Sequence, residues 1–176
     1  MSILNDLLPS KKSIFTKKYP LVEEVKTLKS QLPSFVPQGY QRAVAEGSRI
    51  TGIDPKILSS LINTENAQWN PTAKSYKKVS TAVGLGQHND DTYTYINNLF
   101  KPRYGRDYNR TNGADNIIAT ALYLKNLVDK PEIGNIDNAI KAYKIGTTGF
   151  IKSQGNPKSW RTKDAEKYYN KIKSFY

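Results

Sequence analysis

Apolar residues recur at helical spacing along most of this chain. The first apolar stripe consists of Leu21, Val25, Leu28 and Leu32. Pro33 and Pro37 then interrupt the pattern, as prolines commonly do at the ends of helices. We therefore predict an N-terminal helical extension over residues 1–37 and a main domain over residues 38–176.

The main domain carries the pattern of several further helices. Asp54 is a typical N-cap and Pro55 suits the first position of a helix, so a helix is expected to begin there. Other apolar stripes predict helices over about 38–49 and 91–100, and from Asp115 or Asn116, Asp137 and Asp164 onward. Residues 71–89 suit a loop or short hairpin, and residues 102–113 suit a polar loop. Because no stretch alternates with period two for long, we predict a mainly α fold with at most a small β-hairpin.

Composition excludes several classes of site. The 176 residues include no cysteine and one histidine, His88, which excludes disulfide scaffolds, thiolate metal sites and multi-histidine centres. We expect neither a metal nor a cofactor. No apolar stretch approaches the roughly 20 residues that cross a bilayer, and the first residues lack the apolar core of a secretory signal. We therefore expect no membrane span and no signal peptide.

The chain is strongly basic, with 27 Lys and Arg against 15 Asp and Glu and a net charge of +12. This charge favours polyanionic partners such as anionic cell-wall polymers or nucleic acids, although it also suits a plain solvated surface. The sequence has no arginine-rich helix aligned for a groove, so we expect no specific nucleic-acid binding.

One carboxyl group is a candidate for catalysis. Glu65 follows Leu61 by four residues, which places it on or beside the apolar face of its helix. Partial burial there raises the pKa of a carboxyl and lets it hold a proton near neutral pH. A general acid that protonates a glycosidic oxygen needs this property. Because a glutamate in the last turn of a helix is more commonly solvated, the neighbouring motifs carry the interpretation.

Six short motifs follow one another over residues 38–176. They are IDPKILSSLINTEN, WNP, AVGLGQ, NIIATALYLKNL, AIKAYKIG and AEKYYNKI. In this order, the series resembles the lytic transglycosylase family related to goose-type lysozymes. The resemblance implies a lysozyme-like helical domain that cleaves peptidoglycan glycan strands.

The resemblance also implies roles for individual residues. Glu65 corresponds to the family's catalytic carboxyl, acting first as an acid and then as a base. The residues expected to contact the glycan are Asn66, Gln87, His88, Tyr143 and Tyr168, with Tyr169 as the alternative to Tyr168. The Tyr143 hydroxyl is expected near Glu65. His88 is included because it follows Gln87, on a loop that is expected to be exposed, and not because it matches a residue of the family.

Three positions depart from the family pattern. Asn66 stands where the family has serine, and it retains the ability to donate a hydrogen bond. Gly86 stands where the family has methionine, which predicts the loss of an apolar wall of the groove and a looser groove. Lys144 replaces the asparagine that follows the tyrosine, so the contact made by that asparagine is not expected here.

The reaction implied by the resemblance is cleavage between N-acetylmuramic acid and N-acetylglucosamine with formation of a 1,6-anhydro ring. An alternative is lysozyme-like hydrolysis of the same bond assisted by Asp90 or Asp91, the nearest acids after Glu65. A second alternative is a structural or glycan-binding protein that keeps the fold without catalysis.

The predicted absence of an export signal suggests a setting for this activity. A wall-cleaving domain without such a signal fits a bacteriophage protein. It would be virion-associated or released by lysis, and would act in the periplasm or cell wall. The N-terminal helix then offers a surface for a virion component or another protein.

Overall fold

The computed structural model describes residues 18–76, 79–154 and 159–176, and these residues form eight helices. The helices are α1 (Lys18–Ser30), α2 (Gln38–Thr51), α3 (Pro55–Glu65), α4 (Asp90–Tyr104), α5 (Gly113–Val128), α6 (Ile136–Ile145), α7 (Thr147–Gln154) and α8 (Trp160–Lys173). The prediction of a mainly α fold is confirmed. None of the described helices combines the length and apolarity that crossing a membrane requires.

The N-terminal helix lies within the predicted extension. Helix α1 packs against α2, and Val25 and Leu28 are partly buried. Residues 1–17 and the side chain of Leu21 lie outside the described residues. The division of the chain at residue 37 stays a prediction.

Helix α3 forms as its sequence predicts and ends at the candidate acid. Asp54 caps it, because its Oδ1 accepts a hydrogen bond of 2.7 Å from the backbone nitrogen of Lys56. Leu58, Leu61 and Ile62 are fully buried. The last residue of the helix is Glu65, so the buried stripe fixes the direction in which this residue leaves the core.

Helix α5 lies at the centre of the domain and packs against α2, α3, α4 and α6. Its buried face includes Ile117, Ala121 and Leu124. A second apolar cluster forms where α5 meets α4 and the segment after it, around Phe100 and Tyr108. The hydroxyl of Tyr108 in this cluster lies 2.9 Å from Nδ1 of His88, in the segment before α4.

Two helices are longer than their patterns indicate. Helix α4 continues through Pro102 to Tyr104, and the next residue, Gly105, adopts the left-handed conformation (φ 71°) typical of the residue that follows a helix. Helix α5 begins at Gly113 because the side chain of Asn112 accepts a hydrogen bond from the nitrogen of Asp115. The predicted loop over 102–113 is therefore shorter than expected.

The C-terminal part of the chain corrects two predicted helix starts and adds a helix that was not predicted. Asn135, rather than Asp137, is the N-cap of α6, and it accepts from the nitrogen of Asn138 at 2.9 Å. Helix α7 was not predicted, because Gly146 ends α6 and the short TTG segment resembles a loop. Helix α8 begins four residues before Asp164, capped by Ser159.

The segment between α3 and α4 contains no strand among its described residues. It holds isolated antiparallel bridges between Lys74 and Val83 and between Val83 and His88. The prediction of at most a small hairpin is confirmed. We call this segment, residues 66–89, the cleft loop.

Candidate active site

A cleft of about 700 Å³ opens where α3 ends. Glu65 and Asn66 line it on one side, Gln87 lines it from the cleft loop, and α6 contributes Tyr143 and Lys144. The fold thus brings together most of the candidate residues, although they lie far apart in the sequence.

Glu65 lies on the cleft wall and is partly buried. One hydrogen bond reaches its carboxyl from a side chain on the core side. The hydroxyl of Tyr168 on α8 donates a hydrogen bond of 2.6 Å to Oε1 of Glu65. Tyr168 itself is buried. Helices α3 and α8 pack together, so the contact is built by the core and orients the carboxyl toward the cleft.

Burial raises the pKa of Glu65 above the ordinary value for a glutamate. The hydrogen bond from Tyr168 and the positive charges of Lys144 and Lys171 oppose this rise, but burial prevails. Burial and the neighbouring carboxylate raise the pKa of Tyr168 well above its usual value, so the phenol stays protonated as a donor. The carboxyl is therefore suited to hold and release a proton. We call Glu65, Tyr168 and Lys144 the acid cluster.

The structure distinguishes the two adjacent tyrosines of α8. Tyr168 reaches Glu65, whereas the ring of Tyr169 lies against Lys141 and Lys173, whose ammonium nitrogens are 4.9 and 5.4 Å from its centre. Tyr168 lies behind the carboxyl and is not among the residues that line the cleft. Its geometry favours positioning of Glu65 over stacking on a sugar.

Asn66 is the C-cap of α3, and its amide is engaged with backbone groups. Its Nδ2 donates to the carbonyl oxygens of Asn70 (2.7 Å) and Gly84 (3.3 Å). Its Oδ1 accepts from the nitrogen of Asn70 at 3.2 Å. Asn66 therefore ties the end of α3 to the cleft loop, and its predicted contact with the glycan stays a prediction.

Gln87 lies in the cleft loop in a backbone conformation that residues other than glycine rarely adopt, with φ of 51°. Its Nε2 donates to the carbonyl oxygens of Gly84 (2.8 Å) and Ala73 (3.2 Å). The bonds use the amide's donors, so the group offers a ligand its carbonyl oxygen. This is consistent with the predicted role of Gln87 in sugar binding.

His88 is buried, which corrects the expectation of an exposed loop histidine. Its Nδ1 is 2.9 Å from the hydroxyl of Tyr108, and its Nε2 is 3.1 Å from both Tyr143 Oη and Thr120 Oγ1. Burial, with a smaller contribution from the charge of Arg110, lowers the pKa of His88 to about 3, so the ring is neutral. We call His88, Tyr108, Thr120 and Tyr143 the loop cluster.

The hydrogen bonds of the loop cluster show which nitrogen of the His88 imidazole carries the proton. Tyr143 donates to the carbonyl oxygen of Gly86 at 2.6 Å, and Thr120 donates to that of Asn116 at 2.8 Å. Nε2 of His88 is then the N–H donor to both hydroxyl oxygens, and Nδ1 accepts from Tyr108. Every polar atom of the ring is used inside the protein, which favours a structural role for His88 over ligand contact.

Gly86 does not leave the gap that its place in the sequence suggested. A Cβ atom at this position would lie 2.2 Å from Thr120 Oγ1, 2.7 Å from His88 Nε2 and 3.0 Å from Tyr143 Oη. The loop cluster fills the space beside the glycine, so the prediction of a looser groove is wrong. The Tyr143 hydroxyl bonds the backbone of this loop. Tyr143 also lies near enough to Glu65, on the same cleft, for the carboxylate to raise the pKa of the phenol.

Sequence reasoning missed Asn116, which it treated only as a possible helix start. The side chain is fully buried, its Oδ1 accepts from the nitrogen of Gly86 at 2.7 Å, and its Nδ2 donates to the carbonyl oxygen of Arg110 at 2.9 Å. Gly84 beside it adopts φ of 88°, and a Cβ there would lie 2.3 Å from the Asn116 amide. A buried asparagine in an apolar helix is the available signal, because such a group needs partners.

The acids considered for hydrolysis lie outside the cleft wall. Asp90 pairs with Arg110 at 2.8 Å and is largely exposed, and Asp91 is exposed at the start of α4. Glu65 is the only acidic residue among those lining the cleft in the described part of the chain. No group of three or more acidic or histidine side chains suited to a metal occurs among the described residues.

Comparison with known proteins places these residues in a family. The family model described as the transglycosylase SLT domain matches residues 42–166, which include Glu65, the cleft loop, α5 and α6. No curated protein matches the chain. The chain therefore belongs to the transglycosylase SLT domain family, whose members are lytic transglycosylases that act on peptidoglycan.

Proposed function

We propose that Glu65 is the catalytic acid and base of a lytic transglycosylase that cleaves the bond between N-acetylmuramic acid and N-acetylglucosamine. The support is its place on the cleft wall, its raised pKa and the hydrogen bond from Tyr168. Gln87 is proposed to bind the glycan through its amide oxygen, while Asn66, His88 and Tyr143 hold the loop that presents Gln87.

In the first step, protonated Glu65 gives its proton to the glycosidic oxygen. The bond between that oxygen and the muramyl C1 breaks, and the carbonyl oxygen of the muramyl N-acetyl group bonds to C1 in its place. In the second step, the carboxylate removes the proton from the muramyl 6-hydroxyl. The 6-oxygen attacks C1, the bond from the N-acetyl oxygen breaks, and a 1,6-anhydro ring closes while Glu65 recovers its proton.

The observation that carries the proposal is the solitary carboxyl in the cleft lining. A hydrolase that inverts or retains configuration generally uses two carboxyl groups, about 5–9.5 Å apart across the scissile bond. Among the described residues lining the cleft, Glu65 has no acidic partner. The anhydro route needs only one carboxyl because the substrate supplies both the internal nucleophile and the second hydroxyl.

The setting of the enzyme is a separate proposal. The net charge of +12 supports attraction to anionic cell-wall polymers, which weakens as salt screens it. The bacteriophage origin, the release by the virion or by lysis, and a protein partner for the N-terminal helix stay predictions.

The test is digestion of purified sacculi followed by mass analysis of the muropeptides. We expect products that are one water lighter than the reducing-end products of a hydrolase. Glu65→Gln should lower the rate by at least about a hundredfold, the scale of general acid–base catalysis, without loss of helix content. Glu132→Gln, which removes an exposed carboxyl in the turn between α5 and α6, is the matched control and should retain full activity.

Three results would contradict the proposal. Reducing-end products would assign the reaction to hydrolysis. Cell-wall cleavage by Glu65→Gln at the parent rate would remove this residue from the mechanism, and an inactive parent that still binds sacculi would favour the non-catalytic alternative.

A further inference from the structure

The described lining of the cleft carries more positive than negative charge. In the described lining, Glu65 is the only acid, whereas Lys74 lies in the cleft loop and Lys144 lies on α6. Within the described residues, neither lysine forms an ion pair, while Lys141, one turn before Lys144 on the same helix, is paired with Glu166 at 2.5 Å. The cleft therefore presents cationic groups to whatever enters it.

Lys144 is the cation nearer to the proposed reacting bond. Its Nζ lies 5.1 Å from the ring centre of Tyr168, the residue whose hydroxyl bonds Glu65. A cation over an aromatic face is attracted by the negative potential of the ring, by about 0.5–1 kcal/mol at an exposed site. The acid cluster thus places a positive charge beside the catalytic carboxyl. This charge attracts the ionised form of Glu65 and so lowers its pKa.

Peptidoglycan carries negative charge close to the bond that is cut. The lactyl ether of the muramyl residue ends in a carboxyl group, which is free in peptide-free strands and is amide-linked to the stem peptide elsewhere. Stem peptides carry further carboxylates of their own. An ammonium group on the cleft wall is chemically matched to either source.

We propose that Lys144 is a specificity-determining residue that binds a carboxylate carried by the muramyl residue or by its stem peptide. The proposal rests on the proposed function, since it assumes that the cleft holds the muramyl residue beside Glu65. Glycan whose carboxylates have been neutralised should be cut more slowly, and Lys144 should account for that difference.

The experiment compares two enzymes on two substrates. Sacculi are used with their carboxylates intact or after conversion of those carboxylates to methylamides with a carbodiimide and methylamine. For the parent, kcat/KM should fall about two- to fivefold on the neutral substrate, as expected for one exposed ion pair. Lys144→Gln should show this loss already on intact sacculi and little further loss on the neutral substrate.

Two controls separate recognition from other effects of the substitution. Lys163→Gln removes an exposed lysine on α8 and changes the net charge equally, so it should keep the parent's preference for the charged substrate. Removing Lys144 also alters the proton affinity of Glu65, but this change is common to both substrates and cancels in the ratio of their kcat/KM values.

The outcomes are distinguishable. Equal sensitivity of the parent and Lys144→Gln to neutralisation overturns the proposal while leaving the proposed function intact. An inactive parent on intact sacculi contradicts the proposed function itself. Peptide-free strands with free lactyl carboxylates identify the source, because a Lys144 effect that persists there assigns the lactyl group and one that disappears assigns the stem peptide.

Discussion

The acid cluster and the loop cluster lie on the same cleft and handle polar groups in opposite ways. The acid cluster pairs a carboxyl with a buried phenol and a lysine, and one side of the carboxyl is open to the cleft. The loop cluster also borders the cleft through His88 and Tyr143, but both nitrogens of its imidazole are bonded inside the protein. The acid cluster therefore contains a carboxyl that can exchange a proton with a ligand, whereas the side chains of the loop cluster hold the cleft loop in place.

The physical cause of the difference is how burial acts on each charged form. Burial disfavours charge, so it raises the pKa of Glu65 toward the range where a proton can be given and recovered. The same effect lowers the pKa of His88 to about 3, which removes it from titration near neutral pH. A titratable residue in the motif region is therefore not by itself a catalytic one.

The substitution with the largest expected effect tests whether the loop cluster leaves space for a side chain at position 86. Gly86→Ala places a Cβ 2.2 Å from Thr120 Oγ1 and against His88 and Tyr143, so a part of the cluster must move. We expect the free energy of unfolding to fall by about 3 kcal/mol or more, from overpacking and from buried hydrogen bonds that are broken. Denaturant unfolding measures this change.

Gly39→Ala is the matched control for this substitution. A Cβ at position 39, in the first turn of α2, meets nothing within 4 Å, and alanine suits a helix better than glycine. Its stability should be equal to or above that of the parent. Should Gly86→Ala prove as stable as Gly39→Ala, the loop cluster is not closed around the glycine.

The second prediction concerns the pH dependence that a buried neutral histidine creates. His88 has a pKa of about 3 in the folded chain against about 6.5 for an ordinary histidine, so the unfolded chain takes up a proton that the folded chain does not. The stability is fully present above about pH 6.5 and is lost progressively as the pH falls toward 3. At pH 5 the loss from this group amounts to about 2 kcal/mol.

The measurement is the pH dependence of unfolding for the parent and for His88→Gln. Glutamine keeps hydrogen-bonding groups but does not titrate, so the stability advantage of the parent at pH 7 should shrink by about 2 kcal/mol at pH 5. Acid-sensitive carboxylates such as Asp115, whose pKa is lowered by its bond to Arg106, affect both proteins equally. Parallel curves for the two proteins would show that protonation of His88 does not contribute to the pH dependence of the free energy of unfolding.

The two clusters also show which parts of the site a sequence can predict. The place of Glu65 at the end of the buried face of α3 was predictable, because it follows from the spacing of Leu58, Leu61 and Ile62 on a well-capped helix, which is local information. The loop cluster was not, because His88 meets Tyr108, Thr120 and Tyr143 only through the packing of α5 and α6 around the cleft loop.

The helix boundaries follow the same division between local and tertiary information. The start of α3 was predicted because Asp54 and Pro55 are strong local signals. Helix α7 was missed because Phe150 and Ser153 stabilise a short helix by burial that the sequence around Gly146 does not indicate. The start of α6 was placed at Asp137 from the sequence, and only the geometry shows that Asn135, two residues earlier, is the N-cap.

The substitution with the smallest expected effect, Tyr168→Phe, tests whether the acid cluster sets the pKa of Glu65. The hydroxyl of Tyr168 donates to the ionised carboxylate and so lowers the pKa of Glu65 against the effect of burial. Tyr168→Phe removes this bond, and the pKa of Glu65 should rise by about one unit, the equivalent of one hydrogen bond to a charged group. Because the acid form protonates the leaving oxygen, the alkaline limb of kcat/KM should move by the same amount to higher pH.

Tyr169→Phe supplies the control, since it removes the same hydroxyl from the next residue of α8, whose ring lies against Lys141 and Lys173 and not against Glu65. Its alkaline limb should coincide with that of the parent. A limb that stays in place in Tyr168→Phe would mean that the titrating group is not Glu65, even if Glu65→Gln is inactive. The tyrosine pair therefore separates a carboxyl that is merely required from one that carries the proton in the rate-limiting step.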